Sequence, residues 1–174
     1  MKKQVRYLAA VIGAAALTAG ASLTSLAANP GWNEVQGHYY YYDGNGNPVR
    51  DQWIEDGGNL YWINWNGEMA KQSWVDFDGS WFWVNAQGAM VKNMWIQDGK
   101  NWYYIGETGQ MLKNRWLIDN GQYYYLGDGG DALRGWQLIE GHYYYFNIAD
   151  CNMLTDTYVE GYYVNAAGAY EPGK

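Results

Sequence analysis

A single cysteine, Cys151, among 174 residues excludes an intrachain disulfide, so packing and sheet hydrogen bonds must hold the fold. Phenylalanine is also scarce, with three residues against 18 Tyr and 11 Trp. The aromatic excess therefore lies in the two types that join an apolar body to a polar handle. Such residues suit surfaces that are half core and half binding site. Positive charge is sparse. Lys2, Lys3 and Arg6 are three of the 11 basic residues, and no acid precedes Glu34. Beyond residue 28, eight basic residues thus face 18 acidic ones, a net charge of −10. No basic patch exists to replace phosphate counterions, which excludes nucleic acid as a partner and favours cationic or neutral ligands. A 3.6-residue hydrophobic period is missing and 23 Gly interrupt the chain, so a helical fold is excluded.

The only long apolar stretch lies at the start. Residues 1–28 carry a basic beginning, an apolar centre around Leu8–Leu17 and a small-residue end, the pattern of a secretory signal peptide. Ser25-Leu26-Ala27 fits the cleavage rule, with Leu26-Ala27-Ala28 as the alternative. The stretch is Ala-rich and too weakly apolar for a spanning helix, which wants about 20 strongly apolar residues. No membrane association is expected after cleavage, and residues 29–174 form the functional array.

That array is periodic. Trp recurs at 32, 53, 74, 95 and 116, each 21 residues on, and then at 136. Seven residues after each comes Tyr39, Leu60, Trp81, Trp102, Tyr123 or Tyr143. Fourteen residues after comes Gly46, Gly67, Gly88, Gly109 or Gly130, with Asp150 breaking the series. A fixed period of this size means stacked repeats. Copies begin at 31, 53, 74, 95, 116 and 136, and a shortened seventh from 157 closes the chain. Within a copy, a short apolar run leads to a turn signal such as Asp78-Gly79, Asp98-Gly99 or Asn120-Gly121. An aromatic run such as Trp102-Tyr103-Tyr104-Ile105 follows. Each copy reads as a β-hairpin, marginal alone and stabilised by its neighbours. Side chains alternate along a strand, so Trp102 and Tyr104 point one way and Tyr103 the other. Which face packs the stack is left open at this point.

Catalysis is not expected. A catalytic residue occurs once, whereas Asp56, Asp98 and Asp119 recur three places after a repeat Trp and read as turn residues. His38 and His142 flank turns in equivalent places, and Cys151 reads as a small side chain in a degenerate copy. No metal or other cofactor is expected. Arg50, Lys71, Lys92, Lys113 and Arg134 each lie 18 places after a repeat Trp. They read as solubilising edge residues, with a ladder meeting polymer phosphates as the alternative. The remaining signal is aromatic surface. Trp and Tyr clusters cage quaternary ammonium groups by cation–π attraction, at about 0.5–2 kcal/mol per contact. They also stack on sugar rings. Repetition adds avidity towards a repeating polymer.

The unit W-x-x-x-x-G-x-W-Y-Y-x-x-x-x-x-G-x-M resembles the choline-binding, or cell-wall-binding, repeat of Gram-positive surface proteins. It is also similar to glucan-binding repeats of glucosyltransferases and carbohydrate-binding repeats of clostridial toxins. The resemblance covers about residues 31–170. It implies an all-β hairpin solenoid of six to seven units with ligands lodged between consecutive hairpins. It also implies cages built from a first-strand Trp, a second-strand aromatic, an aromatic of the next hairpin and a loop Met. Carried over, Trp74, Trp81 and Met90 form one cage, closed by Trp95, Trp102 or Tyr104. Trp95, Trp102 and Met111 form the next, closed by Trp116, Tyr123 or Tyr125. Leu60, Pro48, Ala132 and a Met153 one place late depart from the pattern, which predicts two or three good cages. The implied role is a secreted, wall-associated, non-enzymatic module for choline-bearing teichoic acid. A carbohydrate binder for glucan or host glycans and a purely structural aromatic array are the alternatives. A second copy of the chain, joined through the last copies, stands as a further candidate partner.

Overall fold

The computed structural model describes residues 29–174, and the expected signal peptide lies outside them. No helix occurs among the described residues. Seven antiparallel hairpins follow one another. They are β1 (Gly31–Val35) with β2 (His38–Tyr42), β3 (Gln52–Asp56) with β4 (Asn59–Ile63), and β5 (Ser73–Phe77) with β6 (Ser80–Val84). Then come β7 (Met94–Asp98) with β8 (Asn101–Ile105), β9 (Arg115–Asp119) with β10 (Gln122–Leu126), β11 (Gly135–Ile139) with β12 (His142–Phe146), and β13 (Thr157–Val159) with β14 (Tyr162–Val164). This is the all-β hairpin-repeat class that the period implies. The chain divides into two compact units, with β1–β6 before Val91 and β7–β14 after Lys92.

Turn chemistry sets the hairpins. Asp78 and Gly79 take φ of 51° and 70°, and Asn120 and Gly121 take 48° and 75°. Two successive positive φ values match the right-handed twist of the flanking strands. Copy four differs from the expected turn by one place. Asp98 is the last strand residue, paired with Asn101, and Gly99-Lys100 makes the turn.

Both units are built the same way. Tyr42 in β2 is half-buried, but in the other six of the seven hairpins the last residue of the second strand is fully buried: Ile63 and Val84 in the first unit, and Ile105, Leu126, Phe146 and Val164 in the second. The middle aromatic of that strand points to the same side. Phe82 is 8% exposed, whereas Trp81 beside it is 43% exposed. The face left open by the sequence is thereby assigned: the middle aromatic packs the stack, and the first aromatic faces outward.

Within each unit, the loop after a hairpin crosses the hairpin of the preceding copy. In the first unit, Met69 N–H donates to Tyr39 O at 2.7 Å, and Met90 N–H to Leu60 O at 2.8 Å. In the second, Ala132 bonds Trp102, Met153 bonds Tyr123 and Tyr170 bonds Tyr143, at 2.7–2.8 Å. A loop thus belongs in space to the preceding copy. The same stacking explains the Gly series. A Cβ at Gly88, where φ is +83°, would stand 2.7 Å from Met69 Cε.

The interruption at Asp150 is also resolved. Copy five is one residue short, and the loop of copy six is one residue long. Cys151 takes the Gly place with φ of 61°, and its N–H donates to Asn147 O at 2.9 Å. Counted from Cys151, Met153 is in register. The thiol is buried beside Leu126 and Ala132, and burial pushes its pKa up, partly offset by the Arg134 charge.

Candidate aromatic clefts between copies

Each repeat Trp is held from two sides. Antiparallel register sets Trp95 opposite Tyr104, and their rings meet edge-on at 5.2 Å. The stack brings the middle aromatic of the next copy against the same indole, with Tyr124 at 4.9 Å from Trp95. Trp116 lies between Tyr125 at 5.3 Å and Tyr144 at 5.0 Å. In the first unit Trp32 lies between Tyr41 and Tyr61, and Trp53 between Trp62 and Phe82. Edge-to-face geometry suits the ring quadrupoles.

Trp32, Trp95 and Trp136 also have polar anchors 24 residues away. Trp32 Nε1–H donates to Asp56 Oδ2 at 3.1 Å, and Trp95 Nε1–H to Asp119 Oδ2 at 3.1 Å. Trp136 Nε1–H donates to Glu160 Oε2 at 3.2 Å. Asp56 and Asp119, expected to serve their own turns, hold the indole of the previous copy, and Asp119 Oδ2 also accepts from Asn120 Nδ2 of its own turn at 3.2 Å. The signal was present as a fixed offset from Trp, but it connects two copies and is invisible inside one. Asp119 lies close enough to matter electrostatically. Burial first, and its negative charge second, raise the pKa of Tyr104 and of Tyr124.

An open cleft of about 250 Å³ lies between the last two copies, lined by Trp136, Tyr143, Tyr162 and Tyr170. Trp136 is 5.9 Å from Tyr162 and 6.1 Å from Tyr170, and those two tyrosines are 5.6 Å apart. The four places are a repeat Trp, the first aromatic of its second strand, the middle aromatic of the next copy, two residues before the strand end Val164 as Tyr144 is before Phe146, and the next loop residue. The expected cages did not include this group. Its signal was Tyr170 in the place where other copies carry Met, hidden by the shortened seventh copy.

The expected cages are regrouped accordingly. Met90 packs against the core of Val75, Phe82 and Val84, on which Trp53 and Trp62 also pack, and bonds Leu60 through its backbone. It therefore serves the cleft of copies two and three rather than that of Trp74. Trp74 meets Trp81 at 6.4 Å and Trp83 at 5.2 Å in the first unit, while Trp95, Trp102 and Tyr104 belong to the second. The loop residue joined to Trp102 is Ala132, not Met111, whose thioether lies against Gly130 of the next loop. The aromatic of the next copy that meets Trp95 is Tyr124 rather than Trp116, Tyr123 or Tyr125. Tyr125 instead pairs with its own Trp116. Tyr123, 44% exposed, keeps the outward place that Tyr143 has in the cleft. The physical reason is common to all these shifts: the loop and middle aromatic of one copy pack on the copy before.

Two of the in-register cations have partners. Lys71 Nζ stands 4.2 Å from the centre of the Tyr39 ring, and Arg134 donates to Lys100 O at 2.8 Å. Both tie a loop to an earlier hairpin. His38 Nδ1 meets Glu68 Oε1 at 2.5 Å across copies one and two. Among the described residues no group of three His, Cys, Asp or Glu converges.

Fold and clefts together define a β-hairpin repeat protein whose aromatics are shared between consecutive copies. A family model for the choline-binding repeat matches residues 47–89 and 89–131, and one for the cell-wall-binding repeat matches 135–147. The chain belongs to this choline-binding, cell-wall-binding repeat family. Solved structures from Streptococcus pneumoniae are similar. CbpJ of strain TIGR4 is 28% identical with a TM-score of 0.68, the match covering 82% of this chain and 48% of that one. Choline-binding protein F, solved in the presence of a peptidoglycan analogue, is 31% identical with a TM-score of 0.66, covering 82% and 47%. The choline-binding domain of CbpL is 26% identical with a TM-score of 0.52, covering 83% and 87%. The chain thus spans about half the length of CbpJ and of choline-binding protein F. A comparison with curated proteins returns no match.

Proposed function

We propose that the chain is a secreted, non-enzymatic module that attaches to choline-bearing teichoic acid of a Gram-positive cell wall. The observation that carries this reading is the cleft of Trp136, Tyr143, Tyr162 and Tyr170, about 250 Å³ and walled by four aromatic rings. A quaternary ammonium is too bulky and too weakly hydrated to seek hydrogen bonds. It is attracted to the negative faces of several rings at once. Carboxylates anchoring the tryptophans add charge of the right sign. Equivalent places recur along both units, so weak single sites would sum on a polymer that carries choline repeatedly. Membership of the family and the likeness to choline-binding protein F support the same ligand.

The test is elution from a choline matrix. Release by free choline, with no release by sodium chloride of equal ionic strength, is the expected result. The salt control separates recognition from the charge attraction of an acidic protein. Release by salt alone contradicts the reading. The abundance of tyrosine in the cleft favours a second reading, stacking on sugar rings of a glucan. Retention on dextran with indifference to choline would select it.

A further inference from the structure

Three tryptophans give their indole N–H to a carboxylate 24 residues on: Trp32 to Asp56, Trp95 to Asp119 and Trp136 to Glu160. The bond is absent at Trp53 and Trp116 among the described residues. Phe77 and Ile139 end the first strand of the following hairpins, where Asp56 and Asp119 do elsewhere, and Glu140, 24 residues after Trp116 in the first turn place, does not bond that indole. In the last pair of copies that strand end is Val159, and the acceptor comes from the first turn residue instead. Glu160, at φ of 53°, bonds the indole that walls the open cleft. The chain has thus kept a carboxylate on Trp136 by a different route. The four lining side chains are uncharged at neutral pH, so Glu160 brings a formal charge to a cleft made of rings.

We infer that the carboxylate bonded to a cleft tryptophan sets that cleft's preference for a cation over a neutral ligand of the same shape, and that Glu160 does so for the Trp136 cleft. The inference rests on the clefts being ligand sites, as proposed above. One feature of the first unit supports it. In the pair of copies where Asp56 holds Trp32, the chain's own ammonium, Lys71 Nζ, sits 4.2 Å over Tyr39, whose place in the repeat is that of Tyr143 and beside which Glu34 adds a second carboxylate. A second support is that the charge of Asp119 acts on both tyrosines against Trp95. The carboxylate beside a cleft tryptophan is felt by the rings around it.

The test compares choline with 3,3-dimethylbutan-1-ol, its uncharged carbon isostere, on the full chain. Binding is followed at the Trp136 indole N–H resonance, assigned by its loss in Trp136→Phe. Glu160→Gln keeps an oxygen acceptor for the indole and removes the charge. It is expected to weaken choline by about twofold to fivefold, the range of a solvent-exposed charge, and to leave the isostere unchanged. Rising salt should shrink the parent's preference in the same direction. Glu160→Ala, which also frees the indole, should weaken both probes. An unchanged choline-to-isostere ratio in Glu160→Gln overturns the inference while leaving the clefts as sites. A Trp136 signal that answers neither probe in the parent overturns the proposed function and the inference together.

Discussion

Trp95 lies between Tyr104 and Tyr124 while its N–H donates to Asp119, so three neighbours fix one ring. A ring so held can present a fixed face without reorganisation when a ligand arrives, which lowers the cost of binding. Removing the acceptor should loosen it. Asp119→Ala is expected to cost about 1 kcal/mol of stability in urea unfolding, the usual size of one lost hydrogen bond. Asp119→Asn, which can still accept, should cost less. The same carboxylate makes a pH prediction. Tyr104 and Tyr124 ionise above the ordinary value of 10.0, through burial first and Asp119 second. Folding therefore favours their neutral form. Their contribution is complete below pH 10.0 and is lost as pH rises through the raised values. An alkaline absorbance titration should show these two ionising above the ordinary tyrosine value. Asp119→Asn should bring them earlier.

At the scale of the hairpin, glycine separates two causes. Gly79 sits in the β5–β6 turn with φ of +70° and open space around its missing Cβ. Gly79→Ala is expected to cost about 1–2 kcal/mol, for backbone strain alone. Gly88 has φ of +83° and Met69 Cε at 2.7 Å from where a Cβ would go. Gly88→Ala should cost more, about 2–4 kcal/mol, because strain adds to overpacking between copies. Thermal unfolding of the two variants checks the order. Hairpins were legible in the sequence because turn residues and aromatic runs act within about ten neighbours. The grouping of the clefts was not. It depends on Met69, Met90, Ala132, Met153 and Tyr170 lying over the preceding hairpin, a relation set by stacking and not by any single copy. The break at Asp150 and the displaced Met153 were misread for a related reason. A one-residue deletion before Trp136 and a one-residue insertion after Phe146 cancel in space, and linear counting sees only a break.

On the scale of the chain, repetition lets each hairpin serve twice. Its first-strand Trp and outward aromatic open one cleft, and its middle aromatic and loop close the one before. The Trp95–Arg115 copy supplies Trp95 and Trp102 to the contacts with copy five, including Tyr124 and Ala132. A lone hairpin has only half a cleft, so on the proposed function the smallest binding element is a pair of copies. The period was readable from the spacing of Trp, and the family from the resemblance of the whole repeat motif. The cleft of the shortened last pair was not, because Tyr170 replaces the expected Met. The most direct measurement is a calorimetric count of choline bound by the parent and by Tyr162→Ala/Tyr170→Ala, with folding checked by circular dichroism. Both substitutions lie in copy seven and leave Trp136 and Tyr143 of copy six intact. If sites are shared between copies, the variant binds one choline fewer than the parent. An unchanged count in a folded variant would contradict a ligand site shared by two consecutive copies.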